Sequence, residues 1–238
     1  MATRPEILYP LFSSTMALKG IGQATYLNLE KVGINKVKDL IFTLPSSFID
    51  RQQKKTVAEV LIPGVVTVEI EVLDHTAPIV RNRPFIVRVK DFSVEFNIIF
   101  FRARVEYLKK LLPIGSKRLI SGKLEFFDNL PQMTHPDYII PLSERNVIPR
   151  FDAVYPLTKG ITQKIFAKSI KGALEAVPLL GEWIDKSKKL ESHWPDWQKS
   201  LLLAHTPKNQ DALSLTNPAR ERLAYDEFFA HQLTLAIA

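Results

Sequence analysis

The 238-residue chain contains no cysteine, which excludes a disulfide framework, a thiolate metal site, an iron–sulfur cluster and a catalytic thiol. No stretch approaches the roughly 18 uncharged apolar residues of a membrane span. The opening MATRPEILYP puts Arg4 and Glu6 ahead of any apolar run, unlike a secretory leader. Glycine (9) and proline (16) are too few for a collagen-like or low-complexity chain. The five histidines, His75, His135, His193, His205 and His231, are scattered with no His-x3-His pair, so no zinc site is expected. The phosphate-cradling loop Gly-x4-Gly-Lys-Ser/Thr is missing; its nearest approach, Gly122-Lys123-Leu124, lacks the magnesium-binding hydroxyl and falls inside an expected strand. No Gly-x-Ser-x-Gly elbow, Lys-x-Asp-Gly nucleophile motif or recognisable carboxylate dyad occurs. The residues therefore name no catalysis and no cofactor or metal for this chain, and a cytoplasmic protein without membrane contact is expected.

What is present is a globular composition, 46% hydrophobic and 24% charged, long enough for one large or two modest domains. Basic residues number 32 and acidic ones 25. The surplus is local: between Ile79 and Glu125 stand eleven basic residues (Arg81, Arg83, Arg88, Lys90, Arg102, Arg104, Lys109, Lys110, Lys117, Arg118, Lys123) and four acidic ones, while the rest of the chain balances at 21 of each. A polyanion partner explains this, because neutralising phosphates releases condensed counterions. A solvated basic surface that keeps a domain soluble explains it too.

Residues 1–55 read as helical, with apolar residues at helical spacing in Gly22 to Lys31 and Lys36 to Leu44, the second run stopped by Pro45. Within them Leu18-Lys19-Gly20-Ile21-Gly22 and Gly33-Ile34 follow a helix-hairpin-helix pattern. Its glycines either let helix-start amides approach a phosphate or only permit tight turns. From Pro63 the period changes to two. Strands are expected at Val66–Val72, Phe85–Lys90 and Val94–Phe101, then a helix at Val105–Leu112, then strands at Lys117–Phe127 and Gln132–Ile139. The order β-β-β-α-β-β is that of the OB-fold, a five-stranded Greek-key barrel that binds oligonucleotides or oligosaccharides. The fold class is thus α+β, with the barrel at 56–145 and a second helical segment at 146–238. That segment carries helices at Thr162–Ala176, Asp196–His205 and a last one opened by Asn217 and Pro218. The last helix stops without a Gly, Asn or basic final turn, so the natural polypeptide is expected to continue.

On the fourth strand, alternation turns Ile120, Leu124 and Phe126 inward and Lys123, Glu125 and Phe127 outward. Phe101 stands outward on the third strand, next to Arg102. Rings so placed either stack on unpaired bases while Arg and Lys hold the backbone, or dock the flanking helices. Tyr138 is a third candidate ring, and it equally fits a packing role at the barrel rim beside Pro136.

Several segments together resemble the N-terminal part of the RecG family of branched-DNA helicases: Leu18-Lys-Gly-Ile-Gly22 with Gly33-Ile34, Asp39-Leu-Ile-Phe-Thr-Leu-Pro45 and Asp50-Arg51; Gln132-Met-Thr-His-Pro-Asp-Tyr138; Tyr155-Pro-Leu-Thr-Lys-Gly-Ile-Thr-Gln-Lys164; and Ala219-Arg-Glu-Arg-Leu-Ala-Tyr-Asp-Glu227. Between Pro45 and Asp50 the chain departs from the family, with Ser46, Ser47 and Phe48 where basic residues and a Tyr are usual. The resemblance implies a wedge domain that parts the arms of a replication fork or Holliday junction while an ATP-driven motor, absent from this chain, pulls duplex. It also implies that ATP and magnesium serve that motor, and that unpaired bases stack on wedge aromatics. Combined with the charge map, the expectation is a monomer that binds branched DNA, with single-stranded DNA as a further partner. Arg81, Arg83, Arg88, Lys90, Arg102 and Lys123 would meet phosphates, and Phe101, Phe127 or Tyr138 a base. Two rivals stay open: a general single-strand or RNA-binding OB protein, and a scaffold whose basic face binds an acidic protein.

Overall fold

The computed structural model describes residues 4–78, 83–102, 104–157 and 159–237. The chain divides into two compact units, Met1–Phe48 with Phe151–Ala238, and Ile49–Arg150.

The first unit opens with helices α1 (Tyr9–Phe12), α2 (Gln23–Glu30) and α3 (Val37–Ile41), and strand β1 (Ser47–Asp50) runs across the boundary into the second. Gly33, at φ +80°, takes the left-handed turn after α2 that a side chain would resist. Asp39 closes α3 by accepting from the Asn35 and Lys36 amides at 3.0 and 2.8 Å.

The second unit is a closed barrel. It comprises β2 (Gln53–Lys54), β3 (Gly64–Thr76), β4 (Phe85–Lys90), β5 (Glu95–Phe100), helix α4 (Val105–Leu111), β6 (Lys117–Phe127), β7 (Leu130–Thr134) and β8 (Tyr138–Pro141). The long β3 makes closure possible: its first half pairs with β6, Gly64 opposite Leu124 through Glu71 opposite Lys117. Its second half pairs with β4, and an irregularity between Val72 and Asp74 bends the strand from one partner to the other. The circuit runs β3-β4-β5-β7-β6 and back to β3. This is the expected OB topology. Alternating Val66, Val68, Ile70 and Val72, with Val87, Val89, Ile98, Ile120, Leu124 and Met133, fill the interior, and Leu108 and Leu112 join this core from α4 and its C-terminal end. Beyond the barrel, β2 adds to β3 and β8 to β6. The expected fifth strand, Gln132–Ile139, is split, because His135 adopts φ +47° ahead of Pro136 and the chain leaves the β5–β7 ladder there.

The chain returns to the first unit through β9 (Phe151–Val154), then α5 (Gln163–Glu175), α6 (Lys186–Glu191), α7 (Trp197–His205) and α8 (Pro218–Ile237). Thr162 caps α5 through the Ile165 amide, and Asn217 accepts from Ala219 ahead of α8. The two helical segments, far apart in sequence, share one core. Leu29, Val37, Leu40 and Ile41 meet Phe166, Ile170, Ala173, Leu201 and Leu223. His205 is buried in it: its Nε2 faces the Ile41 carbonyl at 2.8 Å and its Nδ1 the Tyr155 hydroxyl at 3.1 Å. Burial lowers its pKa, so the ring is held neutral, donating from Nε2 and accepting at Nδ1. The apolar residues of α8 are divided: Leu223 is buried, while Phe228, Phe229, Leu233 and Ile237 face solvent.

Candidate nucleic-acid interface

Three of the expected residues collect at one end of the barrel. Phe85 stands opposite Phe100, so Arg83 enters β4 at the sheet end where Phe101 and Arg102 leave β5. All three are exposed, and Phe101 retains 49% of its accessible surface. His135 fixes Phe101 in this place. Its Nε2 accepts the Phe101 amide at 3.0 Å, its own amide donates to the Ile99 carbonyl at 3.0 Å, and its ring lies 6.1 Å from that of Phe101. Arg102 takes φ +52° as the strand ends. Arg81 lies outside the described residues.

The second aromatic station is the β6–β7 hairpin. Its two-residue turn, Asp128-Asn129, has both φ angles positive (48° and 61°), the geometry of a tight hairpin whose twist matches its strands. Phe127 is 63% exposed beside Leu130 at 67%. Phe126, expected inward, is instead 39% exposed. The reason is where closure stops: β3 ends its pairing at Gly64 opposite Leu124, so residues 125–127 pair only with β7 and have no interior behind them. This third ring was missed because alternation is legible in the sequence but the partner strand's length is not. Lys123, on the same hairpin, is ion-paired to Glu125 at 2.8 Å.

Phe101 and Phe127 are separate stations. In the parallel β5–β7 ladder Asn97 stands opposite Gln132 and Ile99 opposite Thr134, which sets Leu130 level with Glu95. Phe101 is about six steps further on, roughly 20 Å at 3.3 Å per residue. One base cannot touch both, whereas one strand of a few nucleotides can.

The cations of β4 lie in a mixed ladder. Lys90 has Glu71 opposite on one side and Glu95 on the other. Arg88 has Asp74 opposite and sits 3.9 Å from Glu95. The positive excess counted from Ile79 to Glu125 is diluted once β3 folds alongside, since Glu69, Glu71 and Asp74 lie before that window. Residues 49–150 hold 16 basic and 12 acidic side chains. The long-range field of the barrel unit is set by the remaining difference.

Tyr138 is half-buried on β8, with the Arg51 guanidinium 4.8 Å above its ring. Arg51 is itself buried, donates to Ser121 at 3.0 Å and pairs with Asp137 at 3.0 Å. Ser121 also accepts from Thr67 at 2.8 Å. The Gln132–Tyr138 segment thus supplies Met133 to the core, His135 to Phe101, and Asp137 and Tyr138 to Arg51. Gly122 completes the fit: a Cβ there would lie 2.9 Å from both the Met133 sulfur and the Pro136 Cα. Among the described residues no group of His, Asp and Glu is arranged to hold a metal ion.

Comparison with known proteins agrees with this architecture. The family model described as the RecG wedge domain matches residues 16–177. Among curated relatives, the ATP-dependent DNA helicase RecG of Bacillus subtilis (strain 168) is 30% identical over 235 residues, covering 94% of this chain and 32% of that protein. The protein of the same name from Escherichia coli (strain K12) is 27% identical over 226 residues, covering 92% and 32%. That from Synechocystis is 28% identical over 222 residues, covering 86% and 26%. The chain therefore spans about a quarter to a third of the length of these relatives. A solved structure described as RecG bound to a three-way DNA junction superposes with a TM-score of 0.72 at 23% identity, covering 98% of this chain and 31% of that one.

Proposed function

Because the chain belongs to the RecG wedge-domain family, we propose that it binds branched DNA, replication forks and Holliday junctions, by structure and with little sequence preference. In this reading it is the strand-parting wedge of an ATP-dependent helicase that acts in DNA repair and recombination. The observation that carries the proposal is a closed barrel bearing exposed rings at two stations, Phe101 at the sheet end that also carries Arg83 and Arg102, and Phe126 with Phe127 on a projecting hairpin. Rings of this kind stack on unpaired bases of any identity, while Arg and Lys hold phosphates without reading sequence. The relative solved on a three-way junction supports the choice of branched DNA.

Arg81, Arg83, Arg88, Lys90, Arg102 and Lys123 are the proposed phosphate contacts, and Phe101, Phe127 and Tyr138 the base contacts. Lys123 would exchange Glu125 for a phosphate, and Tyr138 would act from beneath Arg51. The relatives are ATP-dependent by name, and in this reading ATP and magnesium would serve their motor part rather than the wedge. The proposal includes a monomer working in the cytoplasm; no helix among the described residues is long and apolar enough to cross a membrane. The family match covers the barrel together with residues 16–48 and 151–177 of the helical unit, which favours a wedge over a free-standing single-strand binder. The test compares the affinity of the chain for a model fork and for linear duplex at physiological salt. Tighter fork binding is expected; equal affinity refutes structure-specific recognition. Preference for an unstructured oligonucleotide over the fork would favour the single-strand reading, and an acidic protein that DNA cannot displace would favour the scaffold.

A further inference from the structure

A groove of about 570 Å³ lies on the outer wall of the barrel unit, lined along β3 by Glu69, Ile70 and Glu71. Lys54, Lys90 and Lys117 surround it, and Phe92 forms one side. Phe92 sits in the β4–β5 turn, at the opposite end of β5 from Phe101, and is 81% exposed. A single exposed phenylalanine is ordinary. This one stands on a turn anchored by its neighbour. The buried Asp91 carboxylate accepts from the Thr56 hydroxyl at 3.0 Å and the Val57 amide at 2.6 Å, from the Ser93 amide at 2.9 Å and from the Val94 amide at 2.8 Å. A turn whose backbone is already ordered loses little freedom when a ligand lies on it.

The groove is mixed in charge in a way that selects its ligand. Lys55 brings the lysines lining it to four, against Glu69, Glu71 and Asp91, the last with its carboxylate already taken up by the turn. Glu71 stands between Lys90 and Lys117 in the ladder, opposite both. A free phosphate would meet those carboxylates and be repelled. A nucleotide of a strand would not, because its phosphates lie outside the base. Carboxylates accept hydrogen bonds from the amino groups of cytosine or adenine, and the volume is that of a site for a small organic ligand.

From this geometry we infer that the groove seats one unpaired nucleotide of a nucleic-acid strand, its base stacked on Phe92 and its flanking phosphates held by the lysines. This rests on the DNA-binding reading and adds to it a third aromatic station, at a groove whose lining includes Lys90 among the expected residues.

The experiment uses the 238-residue chain with a dC12 oligonucleotide carrying one 5-iododeoxycytidine, irradiated and mapped by mass spectrometry, alongside affinity titrations. A crosslink within residues 91–93 is expected. Phe92→Ala should weaken dC12 binding about 5- to 150-fold, the range of one lost base stack. The pair Lys54→Gln and Lys55→Gln should flatten the logarithmic salt dependence by about 1.4, at roughly 0.7 per phosphate contact on a single strand. Excess inorganic phosphate should not displace the oligonucleotide beyond its ionic-strength effect. Wild-type dC12 affinity in Phe92→Ala with no crosslink at the turn overturns the inference and leaves fork binding through Phe101 and Phe127 intact. Failure of the unaltered chain to bind either fork or dC12 overturns the DNA reading itself. Displacement by phosphate at constant ionic strength overturns the assignment to a strand.

Discussion

Replacing Phe127 with Ala separates folding from binding more cleanly than any other change at the interface. The ring is 63% exposed and lies beyond the point where the barrel closes. Full burial of a Phe side chain contributes about 1.5–3 kcal/mol, so the third or so that is covered is worth about 0.5–1 kcal/mol. Against a typical stability of about 5–15 kcal/mol, that loss leaves the chain folded. A lost base stack costs about 1–3 kcal/mol, which at 1.4 kcal/mol per decade weakens fork binding roughly 5- to 150-fold. No phosphate contact is removed, so the logarithmic dependence of affinity on salt should keep its slope. Fluorescence anisotropy of a labelled fork at several salt concentrations reads both quantities, with a denaturant titration as the folding control. An affinity within twofold of wild type refutes the stacking role. A slope reduced by about one unit shows instead that the change disturbed the cations. Phe101→Ala combined with Phe127→Ala should show additive losses within about 0.5 kcal/mol, because sites so far apart share no partners.

Other predictions follow from particular contacts. Arg88→Ala should flatten the salt slope on fork DNA by about 0.9 with only a small stability change, since its ion pair with Glu95 is long and exposed; an unchanged slope removes Arg88 from the phosphate contacts. Gly122→Ala should destabilise the barrel by about 1–3 kcal/mol, seen as a lower denaturation midpoint, because the new methyl meets the Pro136 backbone. Arg222 is fully buried in the helical unit, donates twice to Glu182 at 2.8 and 2.9 Å and once to Asp226 at 2.8 Å, and lies 5.1 Å from the Trp183 ring. Arg222→Ala should cost about 3–5 kcal/mol, whereas a loss under 1 kcal/mol would mean the cluster is not structural. The Arg222 hydrogen bonds, against an opposing effect of burial, hold Glu182 down from 4.5 to about 2. Its folded pKa is therefore below the unfolded one. The stability it contributes is complete above about pH 4.5 and is lost as pH falls toward 2. Burial raises Asp226 despite the same arginine, which opposes part of this dependence. Acid titration of Glu182→Gln should show a flatter loss of stability between those values than wild type.

Much of the architecture was legible in the residues because it rests on local periodicity. The switch from helical spacing to alternation after Pro63 marked the barrel, and Val105–Leu112 marked its helix. Helical spacing marked the run from Thr162, and Asn217-Pro218 marked the start of the last helix through capping chemistry that acts within a few residues. The outward placement of Phe101 and Phe127 also followed from alternation alone, since successive strand residues face opposite sides whatever lies beyond them.

What the residues did not disclose depends on partners distant in sequence. Whether Phe126 has an interior to enter is decided by where β3 stops pairing with β6, and whether Lys90 is an isolated cation is decided by Glu71, which reaches it only when β3 folds beside β4. The shared core of the two helical segments, the seat of Arg51 between Ser121, Asp137 and Tyr138, and the Asp91 anchor beneath Phe92 have the same origin. Side-chain identity and spacing determine which face a residue offers. Only closure of the chain determines what meets that face, because burial and ion pairing are properties of neighbours brought together by the fold.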